Sequence, residues 1–190
     1  MAMLCALNDL IGSDDCANHG GIKVLYWAKA SEIDWVTTAA TPAQWDAPTQ
    51  IISGFTMIGG AVWYKITPER KGSFYTQSFT ADADTYAVAI NVLFKGKGSA
   101  LRNALCAAIS CCKLVFYVID NNGLERLFGM DWDGTVFEIG TEPLKITQHD
   151  DNSGDKGGDQ PSDLVIFGGE TDCSAIYGDI TQAVFEATYL

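Results

Sequence analysis

Apolar positions along this chain recur mostly at a period of two, the spacing that lines one face of a β-strand. The run "GGIKVLYWAKA" from Gly20 is rich in β-branched and aromatic residues behind a glycine pair, so it predicts a strand. In "TYAVAINVLFKGKG", Tyr86, Val88, Ile90 and Val92 alternate onto one face before a glycine-lysine turn. "QIISGFTMIGGAVWYKITPE" and "GSFYTQSFTADADTY" read as further antiparallel strands interrupted by glycines or polar turns. "CKLVFYVIDNNGLERLFGMDW" predicts two strands joined at Asn121-Asn122-Gly123, where Asn-Gly suits a two-residue type I′ turn. Another turn is expected at Asp133-Gly134, and "DLVIFGG" near the end reads as an apolar strand.

One segment breaks this period. From Ala100 to Ile109, Leu101, Ala104, Leu105 and Ala108 fall at helical spacing behind a capping Ser99, which predicts a helix of about three turns. So short a helix needs an apolar surface to lie on. The pattern therefore predicts a mainly β protein with one central α-helix packed on the flank of an antiparallel sandwich or barrel-like core. Residues 1–190 suit a single domain, and no repeat of fixed period is visible. Two polar, proline- or aspartate-punctuated stretches, 36–50 and 148–163, read as long surface loops suited to mobility or to contact with neighbours.

Charge narrows the functional classes. The net charge of −12 and its concentration in residues 131–190, which carry a net −11, argue against gripping phosphate backbones. Residues 61–130 are net positive by +3, with Lys65, Arg70, Lys71, Lys95 and Lys97 as candidate interface cations. Asp150, Asp151, Asp155 and Asp159 are the opposing acidic candidates, and such contrast favours head-to-tail contact between copies. The first residues lack a basic leader region and meet acidic residues soon after a short apolar run, so neither a signal peptide nor a membrane span is expected.

Motifs for chemistry are sparse. No G-x-S-x-G, Walker-type or dinucleotide-binding glycine pattern stands between a strand and a helix, and no enzyme is expected. His19 and His149 lie in polar surroundings that suit surface roles better than a general base. Cys5, Cys16 and His19 do not match a structural zinc spacing, and the aspartates near 150 lack the glutamate of a calcium loop, so no metal or cofactor is expected. The six cysteines read as free thiols. Among the tryptophans, Trp27, Trp35, Trp45 and Trp63 offer candidate interface anchors, each weighed against a place in the core.

The order of elements, with strands first, one helix between "TYAVAINVLFKGKG" and "KLVFYVIDNNGLERLFG", and further strands around an acidic loop, resembles the tail tube proteins of tailed bacteriophages. The opening "GGIKVLYWAKASEIDW" and the "NNG" and "LFG" after the helix carry that resemblance. It implies a virion structural protein, made in the host cytoplasm, that forms hexameric rings stacked into a tube. DNA would pass through without specific binding, repelled by lumen carboxylates. A capsid decoration, connector or tail-terminator protein is the alternative within virions, and a soluble binding module the alternative outside them.

Overall fold

A computed structural model describes residues 21–69, 72–95, 113–140, 142–152, 162–180 and 185. The chain is mainly β, with thirteen strands among the described residues, eleven of them hydrogen-bonded into one continuous network. Two strands lie at its centre. β1 (Ile22–Lys29) pairs antiparallel with β7 (Leu114–Asp120), so that Ile22 faces Asp120 and Lys29 faces Leu114. Every residue of β7 is buried, as a strand with core on both faces requires.

The strand period then sorts side chains into two cores. Leu25 and Trp27 on β1 join Leu114, Phe116 and Val118 on β7 in one cluster, while Val24, Tyr26 and Ala28 join Val115, Tyr117 and Ile119 in the other. The first cluster is closed by a four-stranded antiparallel sheet. That sheet runs in the order β11 (Glu142–Asn152), β12 (Ser162–Thr171), β6 (Thr85–Lys95), β5 (Phe74–Thr80), and contributes Val88, Ile90, Val92, Val165 and Phe167. Its backbone meets the central sheet at Leu144, opposite Leu114. The result is a sandwich.

The second cluster is covered by shorter pieces. Around β1 and β7 the central sheet adds β4 (Tyr64–Ile66), β8 (Glu125–Phe128), β13 (Ile176–Gly178), β3 (Ile51–Ile52) and β2 (Trp45–Asp46). A separate hairpin of β9 (Met130–Trp132) and β10 (Phe137–Ile139) and a six-residue helix, α1 (Trp35–Ala40), lie on the same side. Trp45, Trp132 and Phe137 pack ring to ring here, with centroids 4.8 to 5.0 Å apart.

Several expectations need correction. The stretch 36–50, read as a loop, holds most of α1 and all of β2, because the Asp34 side chain caps α1 by accepting the Thr37 N–H at 3.0 Å and Trp45 is pulled into the core. The acidic stretch 148–163 is strand to Asn152 and again from Ser162, since both arms pair in register. Sheet pairing is not wholly antiparallel, for β13 runs parallel to β3. The hairpin after β7 is not a type I′ turn: Gly123 alone has positive φ, 81°, and its N–H returns to the Asp120 carbonyl. Asp120 Oδ1 also accepts from Asn122 and Leu124 N–H, both at 2.8 Å, which favours a three-residue turn ending in a left-handed glycine. The helix expected over 100–109 lies outside the described residues.

Packing is closest where β13 crosses Tyr117. A Cβ at Gly178 would collide with the fully buried Tyr117 ring and its hydroxyl, so only glycine lets β13 approach β7 and β8 there. Gly178→Ala is expected to cost about 1–3 kcal/mol, read as a lower urea midpoint at unchanged slope. A midpoint equal to the wild type would mean that β13 is not seated as described.

Candidate functional site

Of the acidic and basic residues singled out by charge, Asp150, Asp151 and Lys95 lie at one end of the four-stranded sheet. Asp150 and Asp151 are exposed on the last residues of β11, opposite Leu164 and Asp163. Lys95 ends β6 opposite Ser162, which in turn faces Asn152. Lys95 therefore shares the sheet end of the aspartates, because β6 and β11 both flank β12. Lys65 lies elsewhere, on the edge strand β4, with its Nζ 5.9 Å from the Tyr26 ring centre. Asp155, Asp159, Arg70, Lys71 and Lys97 lie outside the described residues, as do Cys5, Cys16, His19, Cys106, Cys111 and Cys112.

At the same end, His149 Nε2 stands 3.5 Å from Asp163 Oδ1, and Asp163 is almost wholly buried. Asp163 and Asp151 occupy directly opposed positions, so His149 sits diagonally beside a carboxylate pair. Among the described residues no group of three or more His, Cys, Asp or Glu is arranged to hold a metal ion. No described helix is long and apolar enough to cross a membrane.

The tryptophans are largely consumed by the fold. Trp27 stacks on Tyr64 at 4.6 Å between centroids, and Trp27, Trp45 and Trp63 are all buried. This corrects the reading of Trp27 and Trp45 as interface anchors, since the chain's own cores cover them. Trp35 is half-buried, ties its indole N–H to the Ala30 carbonyl at 2.9 Å, and lines an apolar cleft of about 270 Å³ with Val36, Ala39, Val136 and Phe137. Val36 is 77% exposed, so it leaves α1 with an apolar side chain facing solvent.

Other polar residues, which charge alone did not mark, hold the corners. Glu125 accepts a hydrogen bond from the Tyr117 hydroxyl and one from Ile180 N–H at 2.8 Å, docking the chain beyond β13. Burial, reinforced by the Glu125 carboxylate, pushes the Tyr117 phenol far above its usual range. Asp131 on β9 is buried, and its two oxygens accept the N–H groups of Asp172 at 2.8 Å and Cys173 at 3.3 Å. Burial raises its carboxyl above the ordinary 3.8, although those two N–H groups oppose the shift. The neighbouring Cys173 thiol is raised as well, first by burial and then by Asp131 and Asp172, so it stays protonated and weakly nucleophilic. The signal for Asp131 was its place inside the apolar run "GMDWDG", where an acid must either be exposed or find donors.

No family profile, curated protein or solved structure matches the chain.

The titration of these carboxylates has opposite signs. Asp131, raised in the folded chain, disfavours folding while ionised, and this penalty is relieved as pH falls through its folded value. Asp34 and Asp133 are lowered, chiefly by backbone N–H groups of Thr37 and Val136, so their contribution is present above 3.8 and is lost as pH falls toward their folded values. Acidification from neutral pH to just above 4 is thus expected to lift the Asp131 contribution to the thermal midpoint, and further acidification to lower the whole. In Asp131→Asn the first rise should vanish, as read from melting curves at closely spaced pH.

Proposed function

We propose that this chain is a self-assembling structural subunit of the tail tube type, whose four-stranded sheet repeats around a ring. The observation that carries this reading is the sheet's two outer edges. Among the described residues, β5 pairs only with β6, and β11 beyond Leu144 pairs only with β12. A sheet left with a long unpaired strand at each side is a liability in a lone monomer and an asset in a closed assembly, where one edge meets the next.

Exposed apolar residues on the β5 edge support the same reading. Phe74 and Phe79 are each about half exposed, at 47% and 53%, on a strand whose outer backbone faces no described partner. Asp150 and Asp151 are exposed at the opposite margin of the sheet, and carboxylates there suit a channel through which nucleic acid slides, because like charge opposes sticking. Stacked rings made in a host cell and carried in a virion are the corresponding biology.

Negative-stain electron microscopy across a concentration series, with mass measured in solution alongside, tests this. Rings or hollow tubes that form from the pure chain are expected. A particle that remains monomeric at high concentration would reject the ring-forming reading.

A further inference from the structure

Among the described residues Arg126 is the one arginine, and its guanidinium makes a side-chain hydrogen bond to Tyr75. β8 sets it opposite Val118 and Tyr177 and on the side of Phe128, facing the four-stranded sheet. Its Cζ lies 4.9 Å from the Tyr177 ring centre and 5.7 Å from that of Tyr75, so two aromatic rings flank the cation. Its Nε is buried and finds no acceptor.

A second donor nearby is in the same condition. Gln77 stands two residues along β5 from Tyr75, and its Oε1 takes the Ala175 N–H at 3.3 Å, two residues before Tyr177. Its buried Nε2 has no acceptor either. Gln77 thus lies along the same two segments as Tyr75 and Tyr177, two residues away along each.

Two nearby carboxylates accept backbone N–H groups. Asp120, whose charge reaches Tyr75, turns its Oδ1 to Asn122 and Leu124 N–H, and Glu125 faces the opposite core to hold Ile180. A guanidinium is charged at every pH the protein meets, and its Nε and one terminal nitrogen form a fork that matches the two oxygens of a carboxylate. Rings on either side restrict the fork before a ligand arrives, which lowers the cost of ordering it on binding.

We propose that Arg126, clamped between Tyr75 and Tyr177, is a binding site for a planar carboxylate. The carboxylate is either a free small acid or an acidic side chain of a second copy of this chain. The site does not depend on ring formation, because a small carboxylate can occupy it in the monomer.

The test uses the ¹⁵N-labelled wild-type chain and follows the Arg126 Nε–Hε resonance, assigned through the bonds of the side chain. In one arm, sodium acetate replaces chloride at constant ionic strength and low protein concentration. In the other, protein concentration rises in chloride alone, and acetate is then added. A saturable downfield shift in the acetate arm supports a site for small carboxylates. A shift that appears only with protein concentration and is reversed by acetate supports a carboxylate from a second copy. No shift in either arm, or a concentration shift that acetate leaves unchanged, overturns the proposal. Arg126→Lys keeps the charge and loses the fork, so a saturable response of the Tyr75 and Tyr177 ring resonances to acetate should be lost in that variant.

Discussion

The fold depends on a pair of strands with no face left for water. β1 and β7 each send alternate side chains to opposite cores, so their register is specified twice. A slip of one residue would move Phe116 into the aromatic cluster and Tyr117 into the interface between sheets, where its hydroxyl would lose Glu125 and Ile180. Each fully buried large side chain stabilises by about 1.5–3 kcal/mol, so a misregistered pair has no inexpensive alternative. The flanking strands follow from this pair, since both cores need a lid.

The two lids are built differently, and polar groups explain why both hold. Over the interface between sheets, long antiparallel ladders satisfy their own backbone. Over the other core the strands are two to four residues long, too short to hold position through ladders alone. There, carboxylates take up N–H groups that no strand partner reaches: Asp34 at the start of α1, Asp131 at the corner after β12, Glu125 beyond β13. A buried acid at a corner is directional in a way that apolar packing is not, and it is costly when the corner is wrong.

The strands were legible where period two ran long. Tyr86 to Val92 and the residues of β1 and β7 announce themselves by alternation or by an unbroken apolar run, and the mainly β class follows from them. The region 36–50 was opaque because its order comes from tertiary contact: Trp45 is buried by Trp132 and Phe137, far away in sequence, and polar neighbours conceal it. The arms of β11 and β12 were hidden for the reverse reason, since aspartates on an exposed sheet margin look like a loop when composition is read without register. Arg126 was missed because a single cation in "GLERLFG" carries no pattern; only the pairing of β8 with β7 and β13 shows that it faces inward between tyrosines.

The pairing of β1 with β7 also sets a timetable. Ile22 and Asp120 are partners, so β1 leaves the ribosome long before its mate exists. Neither core can close until residue 120 has emerged, and during that interval the apolar faces of β1 and of the β5–β6 hairpin stay uncovered. A chain translated at about 5–20 residues per second would spend several seconds in this half-made state. For a sheet whose edge strands find no partner among the described residues, that delay is the period of greatest exposure to premature association, and it falls during synthesis rather than after release.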